Sequence, residues 1–173
     1  MERMRRSPKK TGENAEMYIR FNMARNAADL YLPIIQGLDP PEPWLDLAGG
    51  PGMLGYYAER PVHVLDLDFQ HLKVGQKYGT GKHVNGSFSS VPYADKSFGL
   101  IVCSLAFQMS EPSTERSVVI WEMNRILKRG GYAVITLPTG YLVREDRETF
   151  ESALASYGFR PLERYHGIDL GPS

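Results

Sequence analysis

The chain has 173 residues, 42% hydrophobic and 23% charged, with 20 basic and 20 acidic side chains. That composition supports one globular core and is too short for a separate substrate domain. No apolar run reaches the roughly 18 residues of a bilayer span, and no apolar stretch follows the basic N-terminus, so neither a membrane anchor nor a secretory signal is expected.

The lone cysteine, Cys103, excludes an internal disulfide and points to a reducing, cytoplasmic setting. Four scattered histidines with one cysteine give no metal-ligand spacing. Charge is unevenly spread. Residues 1–10 hold Arg3, Arg5, Arg6, Lys9 and Lys10 against Glu2, and the remaining chain holds 15 basic and 19 acidic groups, a net of −4. Residues 1–12 therefore read as a basic flexible tail, either solvated or serving as an arm for nucleic acid or an acidic partner. The mildly acidic body, residues 13–173, reads as a single domain.

In chain order, a helix is expected over 13–36, with Met17, Phe21, Ala24, Ala28 and Tyr31 at helical spacing, kinked or ended by Pro33. Asp39-Pro40-Pro41-Glu42-Pro43 is a stiff connector. Trp44–Leu47 reads as a buried strand, 52–60 as a helix, 62–67 as a second strand and 69–78 as a second helix. Val84 marks a short third strand and 98–105 a fourth. A helix is expected over 114–128, with Val118, Trp121 and Ile126 turned to the sheet. Then come a fifth strand over 131–137, a helix over 147–157 and a sixth strand over 159–165. Strands separated by helices pair in parallel through right-handed crossovers, which makes a doubly wound α/β sheet with helices on both faces. Ligands of such sheets bind beyond the carboxyl ends of the strands.

The first loop at that end is Ala48-Gly49-Gly50-Pro51-Gly52-Met53-Leu54-Gly55. Gly50, Gly52 and Gly55 spell the dinucleotide fingerprint, although a tight ligand-free turn has the same composition. Asp66 ends the second strand, where an adenosine cofactor presents its ribose diol to a carboxylate; Asp68 is the better N-cap for the next helix. Asp46 separates two cofactor types. A carboxylate just before the loop repels a pyrophosphate but favours the ammonium and sulfonium of S-adenosylmethionine. Its other reading is a residue that only fixes the loop by hydrogen bonds. The spacing from Gly50 to Asp66 is also shorter than the roughly 20 residues of a dinucleotide site.

These residues resemble the class I S-adenosylmethionine-dependent methyltransferases, in particular the type 11 group. Trp44 to Gly52 resembles the family's glycine-rich motif, Val62 to Asp68 its acidic motif, Val91 to Phe98 its approach to strand four, and Glu122 to Gly131 its turn into strand five. The motifs stand in the family's order and cover the core, residues 44–138. The resemblance implies a Rossmann-like sheet and S-adenosylmethionine as cofactor. It implies that Asp46, Ala48, Gly49, Gly50 and Gly52 hold the methionine part, that Asp66 and Leu67 meet the ribose, that Ser87 and Phe88 border the adenine, and that Ser104 and Leu105 line the methyl-donor side.

Four positions depart from the family pattern: Ala48 for a glycine, Ser87 for an acid, Gly99 for an aspartate and Arg129 for a proline. An alanine at position 48 is strained if the loop needs positive φ there. The family's closing hairpin is also not evident after the sixth strand, which leaves a sheet edge open to a second copy or a protein partner. The reading is a methyltransferase acting on a small-molecule acceptor. Its alternatives are an RNA or protein methyltransferase, a non-catalytic methyltransferase-like subunit and a nucleotide-dependent oxidoreductase. Gln108, Tyr141 and Tyr18 are candidate acceptor-facing side chains, and no sequence signature marks a general base.

Overall fold

The computed structural model describes residues 31–78, 81–107, 113–137 and 147–162. The basic tail, most of the expected first helix, Tyr18, Gln108 and Tyr141 lie outside them.

Five strands build the sheet: β1 (Trp44–Leu47), β2 (His63–Asp66), β3 (His83–Asn85), β4 (Phe98–Ser104) and β5 (Leu127–Thr136). Their order is β3-β2-β1-β4-β5, and every pair is parallel. The helices are α1 (Leu32–Leu38), α2 (Met53–Tyr57), α3 (Phe69–Gly75), α4 (Ser113–Ile126) and α5 (Arg147–Ser156). β1 is buried along its whole length, as a central parallel strand covered on both faces must be.

Alternation along the strands sorts side chains to two faces. Leu45, Leu47, Leu65, Ile101 and Cys103 join Val119, Ile120, Met123 and Ile126 of α4 in the larger core, with Phe150 and Leu154 of α5 packed against it. Trp44, Leu100 and Val102 face the other way, onto Tyr31, Ile35 of α1 and Leu54 of α2. The doubly wound expectation is met.

Several elements differ in their bounds. Pro33 stands in the first turn of α1, where its missing N–H would be unpaired in any residue; the chain before Tyr31, where the longer helix was expected, lies outside the described residues. α4 stops at Ile126, and β5 starts at once with Leu127. Val118 and Trp121 do not face the sheet: they are 41% and 51% exposed, because the phase set by Val119, Met123 and Ile126 turns them outward. Trp121 lies instead beside the Arg125 guanidinium, 5.8 Å from ring centre to Cζ. Phe159 to Leu162 is not a strand. Gly158, at φ 87°, reverses the chain, and the Phe159 N–H donates to the Leu154 carbonyl. Phe159 thus caps α5 in the manner of a left-handed helix stop and packs on the core. Residues 163–165 lie outside the described segments.

Two contacts explain motifs seen in the sequence. The Arg125 guanidinium donates to Glu122 (2.7 Å), to Asp95 (2.8 Å) and to the Tyr93 and Val91 carbonyls (2.8 and 3.0 Å). Glu122, buried, accepts in turn from the Val91 N–H. This pair fastens the 91–95 segment to α4, and Glu122 and Asp95 hold Arg125 above even its usual pKa range. Gly99 also has a structural reason. A Cβ there would run into the Pro41 carbonyl, while the Gly99 N–H donates to Pro43 at 2.9 Å. The proline connector runs against the start of β4 as it enters β1, so the aspartate common in the family does not fit. Trp44 and Lys128 hold the connector by donating to the Pro40 and Glu42 carbonyls.

Removing one member of the largely buried Glu122–Arg125 pair leaves the other uncompensated. Glu122→Ala is expected to lower unfolding stability by about 3 kcal/mol, read from urea denaturation.

Candidate functional site

The β1–α2 loop turns on three positive φ values: Ala48 (56°), Gly50 (56°) and Gly52 (74°). Gly49 lies flat on the Asp46 side chain, and a Cβ there would overlap its carboxyl group. The Gly49 N–H donates to the Leu65 carbonyl at 3.2 Å, and the Gly52 N–H returns to Gly49 at 2.9 Å. Glycine is required at 49 by contact and at 52 by conformation and by contact with Val64. Ala48 adopts the left-handed backbone anticipated for its position, at the cost an L-side chain carries there.

Asp66 ties this loop to the next one. Its Oδ2 accepts from the Gly50 N–H at 2.8 Å and its Oδ1 from the Asp68 N–H at 2.7 Å. Asp68 caps α3 by accepting from Gln70, as expected. Asn85 was not singled out in the sequence. Its amide donates to the Asp66 and Leu67 carbonyls, both at 3.0 Å, and so fixes the strand end that carries the carboxylate. A polar residue at the end of a short strand is too common a pattern to have marked it. Leu67, 76% exposed, stands beside Asp66.

Asp46 is 5% exposed, and burial, the largest cause, raises its pKa from 3.8 to about 7. A backbone hydrogen bond from Leu54 pulls the value down, and the Asp66 charge raises it further. Two carboxylates thus flank one glycine loop, one beneath it and one beside it. That arrangement disfavours an anion and favours a cationic group with a diol.

The other expected residues are placed less uniformly. The Ser87 hydroxyl pairs with Ser89 Oγ at 2.8 Å and accepts from the Ser89 N–H, so it is engaged within its own turn. Phe88 is half-buried and packs on the larger core. Ser104 ends β4, and its hydroxyl pairs across to Thr136 of β5 at 2.8 Å. Leu105 stands at φ 51°, held by its N–H on the Thr136 carbonyl (3.0 Å) and hydroxyl (3.1 Å). Thr136 is the second residue that sequence reasoning missed, since only the β4–β5 register brings it beside Ser104. All of these residues lie at the carboxyl ends of the strands or in the loops just beyond, where a doubly wound sheet binds its ligands. Among the described residues, no group of acidic, histidine and cysteine side chains has the form of a metal site, and no helix is long and apolar enough to cross a membrane.

A parallel five-stranded sheet with helices on both faces and a glycine loop after β1 defines a Rossmann-like fold. A family profile described as a methyltransferase domain matches residues 45–135, and the chain belongs to that family. No curated protein matches the chain as a relative. Solved structures share the fold at low identity. A protein from Methanococcus maripaludis, assigned as an S-adenosyl-L-methionine-dependent methyltransferase, is 18% identical with a TM-score of 0.72, over 96% of this chain and 93% of that one. A Haloferax volcanii protein described as a candidate methyltransferase, solved in complex with the Trm112 methyltransferase activator, is 15% identical with a TM-score of 0.70, over 97% and 84%. A Thermotoga maritima protein described as a possible histamine N-methyltransferase is 18% identical with a TM-score of 0.65, over 84% and 77%. Of two further similar structures the chain spans 61% and 62% of the length.

Two outcomes are expected. Asp46 binds its proton more tightly folded than unfolded, so its ionisation costs stability as pH rises from about 4 to about 7, and the cost is constant above. Asp46→Asn should therefore melt with wild type near pH 4 and be about 2 kcal/mol more stable near pH 8, read from paired denaturation curves. Ala48→Gly should add about 1 kcal/mol at any pH by relieving the left-handed alanine.

Proposed function

We propose that this chain binds S-adenosylmethionine in the β1–α2 loop and transfers its methyl group to a small-molecule acceptor. The observation that carries the reading is the paired carboxylates: Asp46 beneath Gly49, and Asp66 held by Gly50. The site fits this cofactor better than a dinucleotide, because a pyrophosphate at the same loop would meet the Asp66 carboxylate and, in its ionised form, Asp46, whereas a cationic group favours that ionised form. Asp66 keeps acceptor capacity after its two backbone bonds, since a carboxylate offers about four lone-pair sites. It is assigned to the ribose diol, with Leu67 as its apolar neighbour. Asp46 with the loop residues Ala48, Gly49, Gly50 and Gly52 is assigned to the methionine end, Ser87 and Phe88 to the adenine side, and Ser104 and Leu105 to the methyl-donor side.

When bound, this cofactor supplies a methyl group on a sulfonium, already a good leaving group. The chain's part is then placement: the loop and the two carboxylates hold the donor, and the ends of β4 and β5 border the acceptor's approach. Proximity and alignment supply much of the barrier reduction in such a transfer. A small acceptor suits a chain of this length whose body, outside its first ten residues, carries a net charge of −4. That charge disfavours a nucleic-acid surface on the body.

A second reading, a subunit that works only with a protein partner, has one observation in its favour. The Haloferax volcanii structure of the same fold is a complex with an activator.

Calorimetric titration with S-adenosylhomocysteine tests the cofactor assignment. Micromolar binding by wild type, lost in Asp66→Ala, is the expected result. A folded wild-type chain that binds neither S-adenosylhomocysteine nor S-adenosylmethionine would shift the assignment to the partner-dependent subunit.

A further inference from the structure

His83 opens β3, and its ring lies beneath the glycine loop. Nδ1 sits 3.2 Å from the Gly81 carbonyl. Nε2 is buried and makes no hydrogen bond, although a Cβ built on Gly52 would stand 3.2 Å from it. That nitrogen therefore faces the Pro51–Gly52 turn. The Pro51 carbonyl precedes Gly52 in this turn and packs on Gly75 of α3; it favours the charged ring without yet meeting Nε2 at hydrogen-bond geometry. The imidazole thus lies between two carbonyl acceptors. A neutral ring carries one N–H and satisfies one of them; an imidazolium carries two and can satisfy both.

We propose that His83 is a positioning residue for the glycine loop: doubly protonated, it ties the Pro51 carbonyl and the Gly81 carbonyl together, fixes the turn at Gly52 and tightens cofactor binding. This rests on the cofactor assignment made above. A loop already held in its binding shape does not have to be ordered by the ligand.

Burial, the largest cause, pulls the His83 pKa below its ordinary 6.5, while the Gly81 and Pro51 carbonyls pull it back up. The titratable side chains on the elements around it are Tyr56 and Tyr57 on α2, His63 and Asp66 on β2, and His71 and Lys73 on α3. None of them is among the causes of its shift. The adjacent Lys82 acts on His63 instead. The switch therefore belongs to the ring and its two carbonyls, and it operates below about pH 6.5.

Two neutral substitutions separate the two bonds. Glutamine can place an amide donor near the Nε2 position, and asparagine near Nδ1. S-adenosylhomocysteine affinity is measured by calorimetry for wild type, His83→Gln and His83→Asn at an alkaline pH of about 8 and at an acid pH below the titration of the His83 ring, located from its own resonances in wild type. Asp46 titrates alike in all three, so differences between them isolate residue 83. His83→Gln should match wild type at the acid pH and bind about five-fold tighter than wild type at the alkaline one, the worth of one net hydrogen bond. His83→Asn should match wild type at the alkaline pH and bind about five-fold weaker at the acid one. Three superimposable profiles would overturn the assignment of His83 and leave the cofactor site standing. Failure of wild type to bind at either pH would overturn the cofactor site, and this inference with it. Should either variant fold poorly, the Gly52 amide resonance of wild type gives an independent answer. It should shift with the ionisation of the His83 ring, and a Gly52 amide indifferent to that ionisation overturns the proposal.

Discussion

The hydrogen bond from the Gly50 N–H to Asp66 organises the candidate site. It joins the loop after β1 to the end of β2, two segments that meet only because the two strands pair in parallel register, Leu47 beside Leu65. Asp66 also accepts from Asp68, and Asn85 of β3 fixes the same strand end from the far side. The carboxylate thus joins the loops after β1 and β2 by charge-assisted bonds, which are stronger than neutral ones, and the backbone carbonyls of Asp66 and Leu67 join that strand end to β3.

Asp46 shows the tension that a buried carboxyl brings to a core. Its carboxyl is buried beneath Gly49, against apolar strands, and it takes up a proton far above the usual carboxylate range. Unliganded, it is a burden on the fold; against a cationic ligand it becomes an attraction. Ala48 and Leu105, both with positive φ, are local strains at the same end of the sheet. The opposite requirement governs the rest of the molecule, where Glu122 and Arg125 satisfy each other and the 91–95 backbone, and the strands bury continuous apolar runs.

The strands, the glycine loop and the two carboxylates were legible in the sequence because each is a local pattern. β1 is an apolar run closed by glycines, and Asp66 ends another. Less legible were elements whose state depends on partners. Phe159 to Leu162 carries the composition of a strand, yet Gly158 turns it back over α5. Trp121 is apolar enough for the core, yet the phase of α4 places it beside Arg125 at the surface.

The sequence by itself determined the family, the parallel α/β architecture and the residues of the glycine loop, since these rest on spacing along the chain and on what each residue type can and cannot do. Only the tertiary structure decided which side chains stand together. Asn85 and Thr136 joined the candidate site through strand register, Gly99 became obligatory where the proline connector runs against the start of β4, and His83 came to lie under Gly52 through the packing of β3 beside β2. Contacts between residues far apart in the chain follow from how strands pair and how helices pack, and no local pattern encodes them.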